Sequence, residues 1–520
     1  MPEAEAGWER SQEGASAGQD VRSERPATGH GQPRTTLDTG TTLRSDLHKH
    51  YSTFLTPSRA SARRAAHQVL RTEKQPIPVP SSPVSLEIPC CPGPVTGSIR
   101  PPGSKSITNR ALICAALATG ESHLTGVLDS HDTRVMVAGL RGLGIGITAD
   151  WSSGQIRATG CGGTIPATAA TIDAAASGTT IRFLAAVCGL GHGTYRLDGT
   201  PRMRKRPIGD LLAALEALGV KATAESPGGC PPVVIESRGL PGGSTRIAGS
   251  VSSQFASGLA MAGPCMREGL TLEFTGRLVS LPYLEMTRRV MESFGATCAV
   301  VDERTWRIEP IGYRGVAYDI EPDASAASYF AAAAAITGGC VRIEGLSHSS
   351  MQGDVGFCTA LARMGCTVDW HQRPGEAVTV SGRAASGIDI DMNAISDTVP
   401  TLAVVALFAA GPTTIRNVAH IRDKETDRIG DLATELRKLG ARVEERPDGL
   451  TIHPAALHAA EITTYDDHRM AMSLGLAGLR VPGVRILDPA CVGKTFPTYW
   501  ARLAGIAGID LSAYASSPTA

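Results

Sequence analysis

The stretch Pro102-Gly103-Ser104-Lys105-Ser106-Ile107-Thr108-Asn109-Arg110, continuing as Ala111-Leu112-Ile113-Cys114-Ala115-Ala116-Leu117-Ala118-Thr119-Gly120, sets a pattern that the rest of the chain repeats. Pro-Gly marks a turn. Ser104 or Ser106 is a helix cap and Gly120 a helix stop. Between them lie almost only Ala, Leu, Ile and Cys, which predicts a helix buried on every face. At its mouth stand Lys105, two hydroxyls and Arg110, with Ser106 and Arg110 four apart on one face. A helix N-terminus carries partial positive charge and free N–H groups, a seat suited to phosphate. A solvated basic cap on a core helix would show the same residues, and this stretch alone does not separate the two.

The pattern recurs five times. Ser177-Gly178-Thr179-Thr180, Ser250-Val251-Ser252-Ser253-Gln254, Asp323-Ala324-Ser325-Ala326, Asp397-Thr398-Val399-Pro400 and Tyr465-Asp466-Asp467-His468-Arg469 each precede a small apolar helix. With Lys105, Thr179, Ser253, Ser325, Asp397 and His468 as markers, the steps are 74, 74, 72, 72 and 71 residues. A second pattern runs in phase: an amphipathic helix, a glycine, then a strand, as in Leu215-Glu216-Ala217-Leu218-Gly219-Val220, Met291 to Ala296 and Leu436 to Ala441. Gly144, Gly365 and Gly508 mark the other copies. Glycine there ends a helix in the left-handed conformation. Two interleaved six-fold patterns predict six copies of one α/β unit. The architecture expected is α/β, in two lobes of three units, with buried helices inside and sheet outside. If the buried helices of each lobe run parallel, their N-termini line a cleft between the lobes, suited to a ligand with more than one negative group.

Composition narrows the function. The 520 residues hold 50 Lys+Arg and 50 Asp+Glu, so no global field favours nucleic acid or a membrane surface, and any anion site is local. The 12 cysteines are scattered with no C-x-x-C, as expected of reduced thiols in the cytoplasm. No apolar run of about 18 residues and no signal-peptide pattern stand out. Residues 1–85 are rich in Ser, Arg, Thr, Gln and Glu and read as a disordered extension. Its acidic residues argue against an organelle transit peptide. Pro78, Pro80, Pro83, Pro89, Pro92 and Pro94 read as a stiff linker into the fold.

The densest charge lies at Asn417-Val418-Ala419-His420-Ile421-Arg422-Asp423-Lys424-Glu425-Thr426-Asp427-Arg428. Charge runs are usually solvated, salt-bridged surfaces. Here Lys494, in Gly493-Lys494-Thr495-Phe496-Pro497, and Arg469 and Asp397 at helix mouths shift the balance toward a site. Together with Pro201-Arg202-Met203-Arg204-Lys205-Arg206-Pro207 and Gly249-Ser250-Val251-Ser252-Ser253-Gln254-Phe255, these motifs resemble, in order from about 95 to 515, the 5-enolpyruvylshikimate-3-phosphate synthase family.

The resemblance implies a two-lobed, inside-out α/β barrel of the enolpyruvyl transferase type. Its lobe I would hold residues 86–103 and 321–520 and its lobe II 104–320, with crossovers near Gly103 and Glu321. It implies transfer of the enolpyruvyl group of phosphoenolpyruvate to shikimate 3-phosphate, with release of phosphate. Lys105, Ser106, Arg110, Ser252, Ser253, Gln254, Ser280, Asp397, His420 and Lys424 would hold shikimate 3-phosphate. Lys105, Gly178, Arg202, Gln254, Arg428, Arg469 and Lys494 would hold phosphoenolpyruvate, with Arg206 competing for the part of Arg202. Asp397 resembles the proton acceptor and Glu425 the proton donor. No cofactor or metal is implied, and the expected protein is a cytoplasmic monomer with small-molecule partners.

The chemistry accounts for these residue types. One carbon must be protonated while a hydroxyl attacks its neighbour, which needs an acid and a base around one centre. Glu425 can give a proton only where its surroundings hold it protonated. Arg and Lys offset two phosphates and a carboxylate. Three positions depart from the family pattern: Ala176, Phe183 and His420. The sister UDP-N-acetylglucosamine enolpyruvyl transferases fit less well, since their reactive-cysteine loop has no counterpart. A P-loop nucleotide site fails on spacing, because Ser104 stands where glycine must precede Lys105. A non-catalytic anion scaffold would need the cations but neither Asp397 nor Glu425.

Overall fold

The computed structural model describes residues 85–249, 252–372 and 375–512. The expected disordered extension, apart from Ser85, lies outside the described residues, as do Pro78, Pro80 and Pro83. Twelve α-helices among the described residues alternate in character. The odd ones follow the polar mouths: α1 (Lys105–Leu117), α3 (Gly178–Cys188), α5 (Ser253–Ala262), α7 (Ala324–Thr337), α9 (Val399–Ala406) and α11 (His468–Gly475). Every residue of α3, α7, α9 and α11 is buried. Small side chains let these helices lie close: a Cβ on Gly258 of α5 would stand 2.9 Å from the Arg182 carbonyl of α3.

The even helices are amphipathic: α2 (His131–Gly142), α4 (Gly209–Ala217), α6 (Leu281–Ser293), α8 (Gly356–Arg363), α10 (Gly430–Lys438) and α12 (Tyr499–Ala507). All six glycines expected to end them have positive φ, from 64° at Gly508 to 104° at Gly365. That is the left-handed region a Cβ disfavours.

Five four-stranded sheets and one three-stranded sheet cover the helices. Each four-stranded sheet joins one parallel pair to an antiparallel hairpin. Ala169–Asp173 runs parallel to His192–Asp198, which in turn pairs antiparallel with Cys230–Arg238, Tyr195 facing Ile235. Two strands are traded along the chain. Thr96–Ile99 pairs with Cys340–Glu344, and Ala317–Asp319 pairs with Glu121–Thr125. The buried apolar residues accordingly form two cores, one drawn from 107–320 and one from 86–99 with 324–511. The two passages between them run side by side. Ser104 N–H donates to the Glu321 carbonyl and Asp323 N–H to the Pro102 carbonyl, both at 2.8 Å.

One expectation needs correction. The proline-rich lead-in is not only a linker, because a strand lies between Pro83 and Pro89. Ser85–Glu87 pairs antiparallel with Arg485–Leu487 and buries Leu86, and Ile88 just after it is buried too. Three residues are too few for an alternation to show against six prolines. No helix among the described residues is long and apolar enough to cross a membrane.

Candidate active site

The helix mouths are built alike. Ser104, Ser177, Ser252, Asp323 and Asp467 each accept a backbone N–H from the first turn of their helix. In α9, Pro400 occupies the first turn instead. Five mouths open on one cavity of about 330 Å³, counting its opening to solvent. Its lining includes Lys105 from α1, Gly178 and Thr179 from α3, Gln254 from α5, Asp397 ahead of α9, and His468 and Arg469 from α11. Lys424, Glu425 and Arg428 reach it from the loop before α10, and Asp132 and Arg206 complete it. The sixth mouth joins through Ser325, whose hydroxyl accepts from Arg469 at 3.4 Å.

Arg428 ties the two candidate acid–base residues together. It donates to Asp397 at 3.2 Å, to Glu425 at 2.8 Å, and through Nε and Nη2 to both oxygens of the fully buried Asp467. Arg469 donates to Asp397 Oδ2 at 2.7 Å. Lys494 Nζ donates to Glu425 Oε1 at 2.7 Å and to the Ala176 carbonyl at 2.9 Å. Burial alone would raise both carboxyls. For Asp397, the charges of Arg469, Lys424, Arg428 and Lys105 outweigh it and hold the group below the usual carboxylate range. For Glu425, the charges of Lys494, Arg428 and Arg206 do the same. Glu425 is therefore favoured as the carboxylate, the counter-ion of the cations around it, so the condition for giving a proton is not met by these surroundings alone. Burial pulls Lys424 down to about 8 against the opposing charge of Asp397. His468 is held neutral by burial and by Lys494 and Arg469.

Eight of the expected residues line the cavity: Lys105, Gly178, Gln254, Asp397, Lys424, Glu425, Arg428 and Arg469. Lys494 abuts it through Glu425. Others fall elsewhere. Arg110 is buried a turn deeper, donating to Thr287, the Ser106 carbonyl, Ser257 and the Tyr283 carbonyl. Its guanidinium lies 5.3 Å from the Phe183 ring centroid, and burial lowers it to about 10. Ser106 and Ser253 are half-buried at their helix mouths and Ser252 is spent on its cap. Ser280, at φ 56° ahead of α6, shares hydrogen bonds with His420, whose Nε2 is 3.2 Å from Ser280 Oγ and 3.0 Å from Ser396 Oγ.

Arg202 is exposed and spans to the Lys424 carbonyl at 2.8 Å, whereas Arg206 lines the cavity. Of the two competing arginines, the one four residues further along the chain faces inward. At Ala176 the carbonyl bonded to Lys494 is backbone, so the side chain missing there leaves that contact intact.

Asp132 and Arg182 were not legible as site residues. Asp132 pairs with Lys105 at 3.6 Å from the first turn of α2. Arg182 is 5 % exposed, its Nη1 2.5 Å from Gln254 Oε1, with no hydrogen-bond partner for Nε among the described residues. A Cβ on Gly178 would meet Arg182 at 2.8 Å and Arg206 at 3.0 Å. The available signal was its place four residues after Gly178 on the same helix face.

Comparison with known proteins adds an independent line. The sequence profile of EPSP synthase (3-phosphoshikimate 1-carboxyvinyltransferase) matches residues 91–503. The chain is 47 % identical over 420 residues to the 3-phosphoshikimate 1-carboxyvinyltransferase of Nostoc punctiforme, covering 80 % of this chain and 98 % of that protein. It is 47 % identical over 416 residues to that of Thiobacillus denitrificans, covering 79 % and 97 %. Among solved structures, EPSP synthase from Acinetobacter baumannii superposes with a TM-score of 0.68 at 25 % identity, over 81 % of this chain and 97 % of that one.

Proposed function

The chain belongs to the EPSP synthase family, and from that premise we propose that it transfers the enolpyruvyl group of phosphoenolpyruvate to the 5-hydroxyl of shikimate 3-phosphate. The observation that carries this reading is Arg428 holding Asp397 and Glu425, both ionised, in one cation-lined cavity. In the forward step the 5-hydroxyl oxygen bonds to C2 of phosphoenolpyruvate, its proton passes to Asp397, and C3 gains a proton. In the second step C3 gives up a proton, the bond from C2 to the phosphate oxygen breaks, and phosphate leaves. Glu425 serves C3 in both. It takes a proton only after the anionic substrates engage Lys494, Arg206 and Arg428, the charges that otherwise keep it ionised.

Lys105, Ser106, Arg110, Ser252, Ser253, Gln254, Ser280, Asp397, His420 and Lys424 make up the shikimate 3-phosphate side. Arg110, Ser280 and His420 serve it by shaping its wall. Lys105, Gly178, Gln254, Arg428, Arg469 and Lys494 make up the phosphoenolpyruvate side, with Arg206 in the cavity and Arg202 as a strap to the Lys424 loop. Removing one such donor from a closed site raises the barrier by ~3 kcal/mol. The two cores support a division into lobe I, 86–103 with 321–520, and lobe II, 104–320, in a cytoplasmic monomer.

Phosphate release is the test. The purified chain is expected to release phosphate from phosphoenolpyruvate with shikimate 3-phosphate and not with UDP-N-acetylglucosamine; the reverse result moves it to the sister activity. Asp397→Ala is expected to keep substrate binding and lose about 10²- to 10⁴-fold in kcat. Unchanged turnover removes Asp397 from its role.

A further inference from the structure

The phenol of Tyr283 reaches from α6, which packs on the 107–320 core, to two carboxylates rooted in the other core. Its hydroxyl stands 3.0 Å from Asp397 Oδ2 and 3.3 Å from Asp354 Oδ2. A phenol has one proton and donates fully to only one of them. Asp354 is 5 % exposed, lies in the turn Gly353–Val355, and accepts a short hydrogen bond from the Ser325 hydroxyl. Its other oxygen, Oδ1, is buried without a hydrogen-bond partner among the described residues. An ionised carboxylate with a bare buried oxygen is costly.

The turn that carries Asp354 is clamped. The Gln352 amide donates to the Pro322 carbonyl at 2.7 Å and accepts from Ala324 N–H at 3.0 Å. A Cβ on Gly353 would lie 2.5 Å from that of Pro282, so its backbone abuts the start of α6. The carboxylate is therefore held at a set distance from Tyr283 by both sides of the fold.

We propose that Asp354 is a positioning residue for the proton transfer assigned to Asp397, acting through the Tyr283 hydroxyl that the two carboxylates share. The proposal rests on the transferase reading above. The groups facing Asp354 are Tyr283 from α6, Ser325 and Asp323 from the mouth of α7, Asp397 from the turn before α9, and Arg469 from α11. Burial, with Asp397 and Asp323 beside it, lifts the Asp354 carboxyl to about 7 against the pull of Arg469 and Ser325. While Asp354 keeps its proton, it donates to the Tyr283 oxygen and Tyr283 donates to Asp397, occupying a lone pair of the base. Once Asp354 ionises, Tyr283 is shared between them and a second negative charge stands two hydrogen bonds from Asp397. Both changes strengthen the base, so turnover rises as pH passes upward through the titration of Asp354.

The test compares kcat and both KM values between pH 5.5 and 8.5 for the full chain, Asp354→Asn, Tyr283→Phe and the double variant. Asp354→Asn keeps the shape of the neutral carboxyl. It is expected to lower kcat about tenfold at pH 8, a fraction of what a full acid–base residue supplies, and to remove the rise with pH. Both KM values stay within about threefold. On the Tyr283→Phe background the Asn substitution costs less than on the full chain, because the shared hydroxyl is gone and only the charge of Asp354 remains to be lost. Thermal unfolding checks that each variant folds. The raised Asp354 lowers wild-type stability as pH climbs from about 4 to about 7, so the advantage of Asp354→Asn in Tm grows across that window. A wild-type pH profile in Asp354→Asn, losses that add in the double variant, or a change confined to KM overturns the proposal alone. Absence of turnover in the unmodified chain overturns the transferase reading and the proposal with it.

Discussion

Lys424 illustrates how far a side chain's surroundings reset its chemistry. Burial brings its ammonium down to about 8, with Asp397 holding it from falling further. Below that value it is a cation facing the shikimate 3-phosphate side; above it the charge is lost. The KM for shikimate 3-phosphate is expected to rise as pH passes 8, while Lys424→Met shows a high KM at every pH; steady-state titrations between pH 7 and 9.5 check this. His420 is lowered as well, in part by that same Lys424 charge. Burial and the Lys424 charge lower its ring to about 4, so at neutral pH it is an uncharged partner for Ser280 and Ser396. Residue type and motif made Lys424, Glu425 and Asp397 legible in the chain. Asp354 was not, because what singles it out is a phenol 71 positions away and an oxygen left bare by packing.

The buried helices and the amphipathic ones were visible for different physical reasons. A helix of Ala, Leu and Ile with a hydroxyl or carboxylate ahead of it announces both its burial and its cap. An amphipathic helix announces its end by glycine. Gly219 isolates that second effect, since a Cβ there meets nothing within 4 Å among the described residues and its φ of 90° is what resists substitution. Gly219→Ala is expected to destabilise the protein by about 1 kcal/mol through backbone strain alone, with Gly219→Asn costing less; urea unfolding measures both. The strand Ser85–Glu87 escaped detection because it carries no such signal. It exists only because the parallel pair Glu461–Ile462 and Arg485–Leu487 offers an edge.

Two strands exchanged between the halves make the assembly one fold with two cores. Both passages depend on close backbone approach at Gly103, where a Cβ would lie 1.8 Å from the Gly126 carbonyl oxygen. No rotamer relieves a clash with backbone. Gly103→Ala is expected to cost about 1–3 kcal/mol and to raise both KM values, since Lys105 and the α1 mouth follow directly; chemical denaturation and steady-state kinetics check it. The cavity is likewise a property of the assembly. Arg202 straps to the Lys424 loop and Tyr283 reaches to Asp354 and Asp397, contacts between residues more than 70 positions apart.

Local order was written into the primary structure: six units, their caps, their glycine stops, and the charges held at each mouth. Periodicity, capping and left-handed glycine act over a few residues, so they can be read without knowing what lies opposite. Which arginine faces inward, which serine is spent on a cap, and that the cations around Glu425 favour its carboxylate emerged only once the chain had closed on itself. Those outcomes depend on desolvation and on Coulomb terms between groups that folding brings together from all six units, and no window along the chain contains them.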